Sequence, residues 1–549
     1  MQSQIWHQMY PSDVAFDAPF ENDLTIPAMV AQRTARYKDN VAFSCLEVQL
    51  SYQALDEFSY LFAGYLCREG LLAGDRVALM LPNSLTYPIC SLGILRAGMT
   101  MVSVNPMYTA RELIHQLNDS GAKAIVCSES LLPLVSEIAS ATSLRHVVFA
   151  ALTDLIPTGD SWRPVAQRSI GEAKALGTAL EEGAPGGFNP PIMRPEDIAV
   201  LQYTGGTTGV SKGAALSHKN LLCGVAQQIS WLPQAYIAGN TTCITALPMY
   251  HVFPLNIMLM MLWLGGTNRL VPNPRDSNQI FSEIKRAPFH VLPGVNTFFN
   301  SLLASDRLLK EDFAATRLVI GAGASVLESV AERWKTVTGI PLTEGYGLTE
   351  CSPGVTFNLH SAGWTGSVGV PFPSTDVKII DNGGLTVPLG SSGELCVKGP
   401  QVFTGYWRKP EETKNVFTED GWFRTGDIAR MDHRGMVYIV DRLKDMILVS
   451  AFNVYPNEIE GVVSMLPAVD ECACIGVPDA RSGEVPHLFI VRRDLDITAE
   501  EVIRHCRENL TAYKVPRYVT FLPALPKSPV GKILRRELRD TLRTSGVTH

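Results

Sequence analysis

Between residues 76 and 128 the apolar positions switch from continuous runs to helical spacing and back. Arg76-Val-Ala-Leu-Met-Leu81 reads as a buried strand, residues 84–96 as a helix, and Met101-Val-Ser-Val-Asn-Pro106 as a second strand. Thr109 then caps a predicted helix that stops at Gly121, and residues 122–128 make a third strand. Buried apolar strands alternating with amphipathic helices predict an α/β chain built on largely parallel sheets.

The pattern changes twice further along. Residues 154–191 are polar and rich in glycine and proline, which predicts a surface connection. From Asp381 onward, Asp381-Asn-Gly-Gly384 and Asp432-His-Arg-Gly435 are turn signals between short alternating runs, as in an antiparallel β region. Beyond Lys444 a smaller α+β unit follows: helix 456–466, strands 471–477 and 487–493, helix 499–510. A domain boundary is therefore expected within residues 441–444, giving units 1–441 and 442–549. No internal repeat is visible. The apolar window 252–263 is interrupted by Pro254 and Asn256 and is shorter than the roughly 20 residues of a membrane helix. It reads as core or pocket wall.

The length of 549 residues exceeds what one hydrophobic core organises, so several units are expected. With 46% apolar and 18% charged residues the composition is that of a globular chain. A net charge of −7 supplies no global field for nucleic acid, so a polyanion must be met by a local site. The eleven cysteines show no framework; Cys472 and Cys474 form one C-x-C without a second pair, which favours buried thiols over a metal site. The N-terminal residues lack a basic region followed by an apolar run, so no secretory signal is expected, and a reducing, cytoplasmic setting fits.

Four segments carry chemistry. In Tyr203-Thr-Gly-Gly-Thr-Thr-Gly-Val-Ser-Lys-Gly213 a strand-like run feeds glycines, hydroxyl residues and one lysine. Glycines let backbone N–H groups approach an anion, and the hydroxyls and the lysine add donors: a phosphate cradle, although its spacing is not that of a Walker A loop. A flexible linker would not need the buried strand before it. Gly345-Tyr-Gly-Leu-Thr-Glu350 offers an aromatic face for a base, a hydroxyl and a carboxylate, and a carboxylate beside phosphates calls for a cation such as Mg2+. Thr425-Gly-Asp427 and Asp441-Arg-Leu-Lys444 hold an aspartate suited to a ribose diol. Finally, Pro526-Lys-Ser-Pro-Val-Gly-Lys532 presents a lysine ahead of a basic helix, in which Arg535, Arg536 and Arg539 are expected on a solvated face.

In this order and spacing the segments resemble the adenylate-forming superfamily of acyl-CoA synthetases, luciferases and nonribosomal adenylation domains. The wording is most similar to bacterial long-chain fatty acid–CoA ligases, as in NPMYTARELIHQLNDSGAKAIV, ALPMYHVF, YGLTECSP, FNVYPNEIE and LPKSPVGKILRRELRD. The resemblance implies two wound α/β lobes and a distorted β-barrel in a large N-terminal domain, capped by a small mobile α+β C-terminal domain. It implies ATP, Mg2+ and CoA as cofactor and co-substrates, with a fatty acid as the acid. Thr204, Gly205, Gly206, Thr207, Thr208, Gly209 and Lys212 would hold the phosphates. Gly323, Ala324, Gly345, Tyr346 and Gly347 would line the adenine site, with Thr349 at a phosphate and Glu350 on magnesium. Asp427 and Arg442 would hold the ribose, and Lys532 would stabilise charge during adenylation. His251 would lie beside the acyl carboxylate, and Lys444 would be the hinge.

Two departures from the resemblance stand out. Ala451 occupies a glycine position in a loop that lines the pantetheine approach of relatives, which bears on the CoA step. The connection 154–191 is shorter than in many relatives, which weakens the analogy for peripheral contact with the inner membrane face; a homodimer is implied only by kinship. Other readings are a ligase for medium-chain, branched or aryl acids, an acyl-AMP former with another acceptor, or a non-catalytic acyl- or nucleotide-binding protein. Retention of both Glu350 and Lys532 argues against the last.

Overall fold

The computed structural model describes residues 4–544, except 152–153, 159–160, 165–168, 184–186, 205–210, 360–362, 451, 480 and 529–530. Two large sheets form the first part of the chain. In one, the strands run in the order Lys212–Ser217, Ile198–Thr204, Thr100–Ser103, Arg76–Met80, Ala124–Ser128, His146–Ala150, Ala173–Ala175 and Ser169–Ile170. The other runs Val370–Pro371, Gly354–Phe357, Leu342–Gly347, Leu318–Gly321, Val291–Gly294, Thr242–Thr245, Thr267–Leu270, Val41–Cys45 and Val48–Ser51.

The centre of each sheet is parallel, as the apolar runs predicted, and the edges turn antiparallel. Two of those edge hairpins matter most. Ile198–Thr204 pairs antiparallel with Lys212–Ser217, and Leu342–Gly347 with Gly354–Phe357. Each hairpin turns at the carboxyl end of its incoming strand, where ligands of wound α/β sheets bind.

Local chemistry sets the element ends. Thr109 and Glu112 form a reciprocal capping box on helix Ala110–Ser120, which stops at Gly121 with φ +65°. The apolar window is the helix Val252–Leu264, buried along nearly its whole length, with Pro254 tolerated in the first turn. It packs against His218–Trp231, so the window is core. Among the described residues no helix is long and apolar enough to cross a membrane.

The segment 154–191 differs from the expected surface connection. Ala173–Ala175 joins the sheet beside His146–Ala150, and helix Leu176–Gly183 buries Leu176, Ala179 and Leu180 against helix Tyr52–Arg68. The alternation of small and apolar residues in Leu176-Gly-Thr-Ala-Leu180 supplies an apolar face that the polar surroundings concealed. Gly64 and Gly183 allow the two helices to meet at backbone distance.

The predicted antiparallel region is a four-stranded sheet, Asp376–Ile380, Ser392–Lys398, Phe423–Met431 and Val437–Arg442. It lies where the resemblance implied a barrel. After it comes a five-stranded sheet with Phe452–Val454, Ile447–Val449, Gly483–Arg492, Val469–Asp479 and Tyr518–Phe521. Helices Pro456–Val463, Ala499–Asn509 and Arg535–Thr544 accompany it, giving the small α+β unit expected beyond Lys444.

The final helix corrects one expectation. Arg536 faces solvent, but Arg535 and Arg539 do not share that face. Arg539 pairs with Asp445 at 3.0 Å, and Arg535 pairs with Glu460 at 2.8 Å. The acidic partners come from elements 75 to 94 residues earlier in the chain, beyond the reach of a helical-face reading.

Candidate active site

The first hairpin ends in a cross-strand pair, Thr204 opposite Lys212. Ser211 Oγ donates to the Thr204 carbonyl at 2.8 Å and closes the neck of the turn. Gly205, Gly206, Thr207, Thr208 and Gly209 lie outside the described residues, as does Ala451. The neck alone brings a hydroxyl and an ammonium side by side at the mouth of a glycine turn, as an anion cradle requires.

Lys212 Nζ stands 5.5 Å from the ring centroid of Tyr406, and the Tyr406 hydroxyl donates to Glu350 Oε1 at 2.8 Å. One aromatic residue thus bridges the phosphate hairpin and the Tyr346–Glu350 segment. Glu350 is 9% exposed, and burial raises its carboxyl above the ordinary range, opposed by the Tyr406 hydrogen bond. A carboxylate out of water with a neutral phenol as partner leaves room for a cation in its electrostatics. Among the described residues no group of three His, Cys, Asp or Glu forms a metal cage. The donor set of one carboxylate therefore fits Mg2+, which is commonly held by one or two carboxylates together with substrate phosphates.

Tyr346 and Asp427, expected at adenine and ribose, meet each other: the Tyr346 hydroxyl donates to Asp427 Oδ2 at 2.6 Å. Arg442 Nε lies 3.5 Å from Asp427 Oδ1, and the two residues are register partners on adjacent strands. Thr425 Oγ accepts from the Asp427 N–H at 3.1 Å and donates to the Leu395 carbonyl. Gly345 and Gly347 flank Tyr346 on its strand; a Cβ on Gly347 would overlap the Pro353 carbonyl oxygen. Thr349 opens the short turn Thr349–Cys351 that carries Glu350.

Lys532 reaches this group from the C-terminal unit. Thr297 Oγ donates to the Gly531 carbonyl at 3.3 Å, and Lys532 Cε lies 3.7 Å from where a Cβ on Gly323 would stand. Gly323, at φ +81°, and Ala324 are exposed in the loop facing it. Loss of water and the Arg442 guanidinium push the Lys532 ammonium down to about 8, against the pull of Asp427 and Glu350. His251 caps helix Val252–Leu264; burial and the Lys532 charge hold its imidazole down at about 3, so it is neutral near pH 7.

Lys444 is set apart, exposed on a turn. Before it, Arg442 is held by Asp427, and the Leu443 N–H donates to the Gly426 carbonyl. After it, Asp445 is buried and pairs with Arg535 and Arg539. Asn457 of helix Pro456–Val463 also reaches the strand before Lys444, donating its N–H to Asp441 Oδ2 at 3.0 Å and its side-chain amide to the Val440 carbonyl at 3.3 Å.

Two contributors escaped the sequence reading. Tyr406 sits in Gly405-Tyr-Trp-Arg-Lys-Pro410, whose composition carries no chemical signature. Glu344 precedes Tyr346 by two on the same strand, so the two side chains leave the same face. Glu344 Oε1 accepts the Val326 N–H at 2.9 Å, tying down the loop of Gly323 and Ala324. Burial pushes the Glu344 carboxyl up to about 8.

Two wound α/β sheets followed by a smaller α+β unit are the architecture in which these side chains meet. The family model for the AMP-binding enzyme matches residues 30–407, that for the AMP-binding enzyme C-terminal domain matches 458–532, and the chain belongs to this family. It is 45% identical to a long-chain-fatty-acid–CoA ligase of Escherichia coli O6:H1, with 98% of each chain covered. It is 34% identical to a ligase of the same name from Bacillus subtilis, again over 98% of each, and 33% identical to a feruloyl-CoA synthase of an Amycolatopsis species, over 89% of this chain and 93% of that one. Among solved structures, ATP-bound MatB from Rhodopseudomonas palustris superposes with a TM-score of 0.83 at 31% identity, covering 95% of this chain and 99% of that one.

The packing around Gly347 generates a prediction. Gly347→Ala is expected to lower stability by about 1–3 kcal/mol, the range for overpacking, and to weaken ATP binding. Calorimetric titration with ATP alongside a melting curve checks it; unchanged affinity would show that the turn tolerates a side chain.

Proposed function

We propose that the chain is an AMP-forming fatty acid–CoA ligase and that the residues gathered around Glu350, Asp427 and Lys532 carry its first half-reaction. The observation that supports this most directly is the approach of Lys532 from one unit to carboxylates and hairpins of the other. In that half-reaction an acid oxygen attacks the α-phosphorus of ATP, the α–β P–O bond breaks, and pyrophosphate leaves. In the second, the CoA sulfur attacks the acyl carbonyl and AMP leaves.

A carboxylate and a triphosphate repel each other, so the site must neutralise charge where the new bond forms. Lys532 fills that role as an ammonium, and Thr204 and Lys212 hold the phosphate chain at the neck of the hairpin. Glu350 would hold Mg2+, which would screen the phosphates when bound, and Thr349 would touch a phosphate. Tyr346 presents its ring to adenine while its hydroxyl orients Asp427, which with Arg442 meets the ribose. Neutral His251 lies by the acid without adding a charge. The loop of Gly323 and Ala324 completes the adenine wall. Long-chain ligases, matched at 45% identity against 33% for the aryl-acid relative, favour a fatty acid.

The boundary 1–441 and 442–549 belongs to the same proposal. Lys444 is the pivot in this reading: Arg442 on one side pairs with Asp427 and Asp445 on the other with Arg535 and Arg539, and a rotation there would withdraw Lys532 after adenylation and open the thiol's path. A few residues absorbing a large backbone change suffice for such a motion.

Three outcomes test the reading. Lys532→Ala should slow ATP–pyrophosphate exchange by roughly 10²–10³-fold, the loss typical of one preorganised donor, while CoA attack on preformed acyl-AMP persists. Equal loss in both steps would refute the assignment. The kcat/KM of exchange reports ionisation of the free enzyme, so it should fall as pH rises through about 8, because Lys532 then loses the proton that makes it useful. A profile flat through that region, or the same limb in Lys532→Ala, contradicts the role. Lys444→Pro should abolish thioester formation and spare exchange, since proline fixes the φ that the pivot must change; stopped-flow traces with both steps intact would rule the pivot out.

A further inference from the structure

Arg535 opens the last helix, three residues beyond Lys532, and its side chain is only 17% exposed. One nitrogen, Nη2, donates to both carboxylate oxygens of Glu460 at 2.8 Å and to Asn457 Oδ1 at 3.1 Å. The other, Nη1, lies 3.8 Å from Asp445 Oδ2. Glu460 is itself fixed, because its Oε1 also accepts the Cys474 N–H at 2.7 Å from the neighbouring strand. Asp445 is gripped a second time by Arg539. A single side chain therefore joins the helix Pro456–Val463, the residue just past the pivot, and the start of the last helix.

The loop that bears Lys532 cannot move independently of Arg535. Ser528 and Lys532 exchange two bonds: the Ser528 N–H donates to the Lys532 carbonyl at 2.7 Å, and Ser528 Oγ accepts the Lys532 N–H at 3.1 Å. Lys527 and Ile533 form a bridge, and the Leu534 N–H donates to the Pro526 carbonyl. The lysine is thus tied to Ser528, and the next residue but two is the anchored arginine. Lys532 has to project into the other unit, so a small tilt of this turn displaces its ammonium by a larger amount.

We propose that Arg535 is the positioning residue for Lys532: its pairs with Glu460 and Asp445 hold the lysine-bearing turn in fixed relation to the pivot, and so aim the ammonium at the space beside Glu350 and Asp427. Arg535 touches no reacting atom. The inference rests on the adenylation role of Lys532 given above. Arginine is required because its fork meets several acceptors at once, whereas a lysine offers a point charge.

A double-mutant cycle on the full chain separates positioning from general support, with ATP–pyrophosphate exchange on hexadecanoate as the readout. Arg535→Met should slow exchange by roughly 10²-fold in the wild-type background, the scale of about a 1 Å misplacement. It should have no further effect in Lys532→Ala, where there is nothing left to aim. Arg535→Lys should recover only part of the rate. Melting curves report folding; if Arg535→Met does not fold, Glu460→Gln loosens the same pair from the other side and should show the same non-additivity. Equal slowing in both backgrounds, or wild-type exchange in the folded Arg535 and Glu460 variants, overturns the proposal. Wild-type exchange in Lys532→Ala alone would overturn the reading of Lys532 and this inference with it.

Discussion

The carboxylate of Asp427, 5% exposed, is the constraint around which the site is organised. An ionised carboxylate out of water is costly unless partners meet it, and the partners here come from different parts of the chain. Tyr346 supplies a hydroxyl from the third strand of the nine-stranded sheet, and Arg442 supplies a guanidinium from strand Val437–Arg442. Satisfying one buried charge therefore ties an α/β lobe to the antiparallel sheet and to the segment that leads into the C-terminal unit. Burial still raises the Asp427 carboxyl, with Arg442, Tyr346 and Lys532 acting against it. The lysine is drawn to the same place by the charge it helps to balance.

Seen from this point, the two edge hairpins have a shared logic. The parallel strands aim their carboxyl ends toward a common region, and an antiparallel strand returns beside Ile198–Thr204 and beside Leu342–Gly347. Parallel neighbours need long crossovers, whereas an antiparallel return keeps the connection short. Tyr406 then spans the two turns through Lys212 on one side and Glu350 on the other. Around Lys444 two sets of charges adjoin: Arg442 pairs with Asp427, and Asp445 pairs with Arg535 and Arg539.

Much of this could be read along the chain, because motifs whose chemistry is local keep their signature in local order. The Thr109 cap, the strand before Thr204, the glycines around Tyr346 and the lysine after Gly531 all announce themselves by neighbours within a few residues. What escaped depended on distant partners. Arg535 and Arg539 look like solvated charges until Glu460 and Asp445 are brought to them. Residues 176–180 look like loop until helix Tyr52–Arg68 covers their apolar face. Tyr406 has no local pattern because its function is to connect two segments, one of them 56 residues away.

By itself, then, the sequence determined the parallel strands Arg76–Met80, Thr100–Ser103 and Ala124–Ser128, the antiparallel region after Asp381 and the smaller α+β unit that follows, and it marked Thr204, Lys212, Glu350 and Lys532 as candidates for the chemistry. These rest on periodicity, capping and residue chemistry, which act over one or two turns of chain. Only the tertiary structure decided which charges face one another: Tyr346 with Asp427, Tyr406 with Glu350, Glu344 with the Gly323 loop, and Arg535 with Glu460. Electrostatic partners act through space, and the cost of burying each group is settled by whatever the fold places beside it.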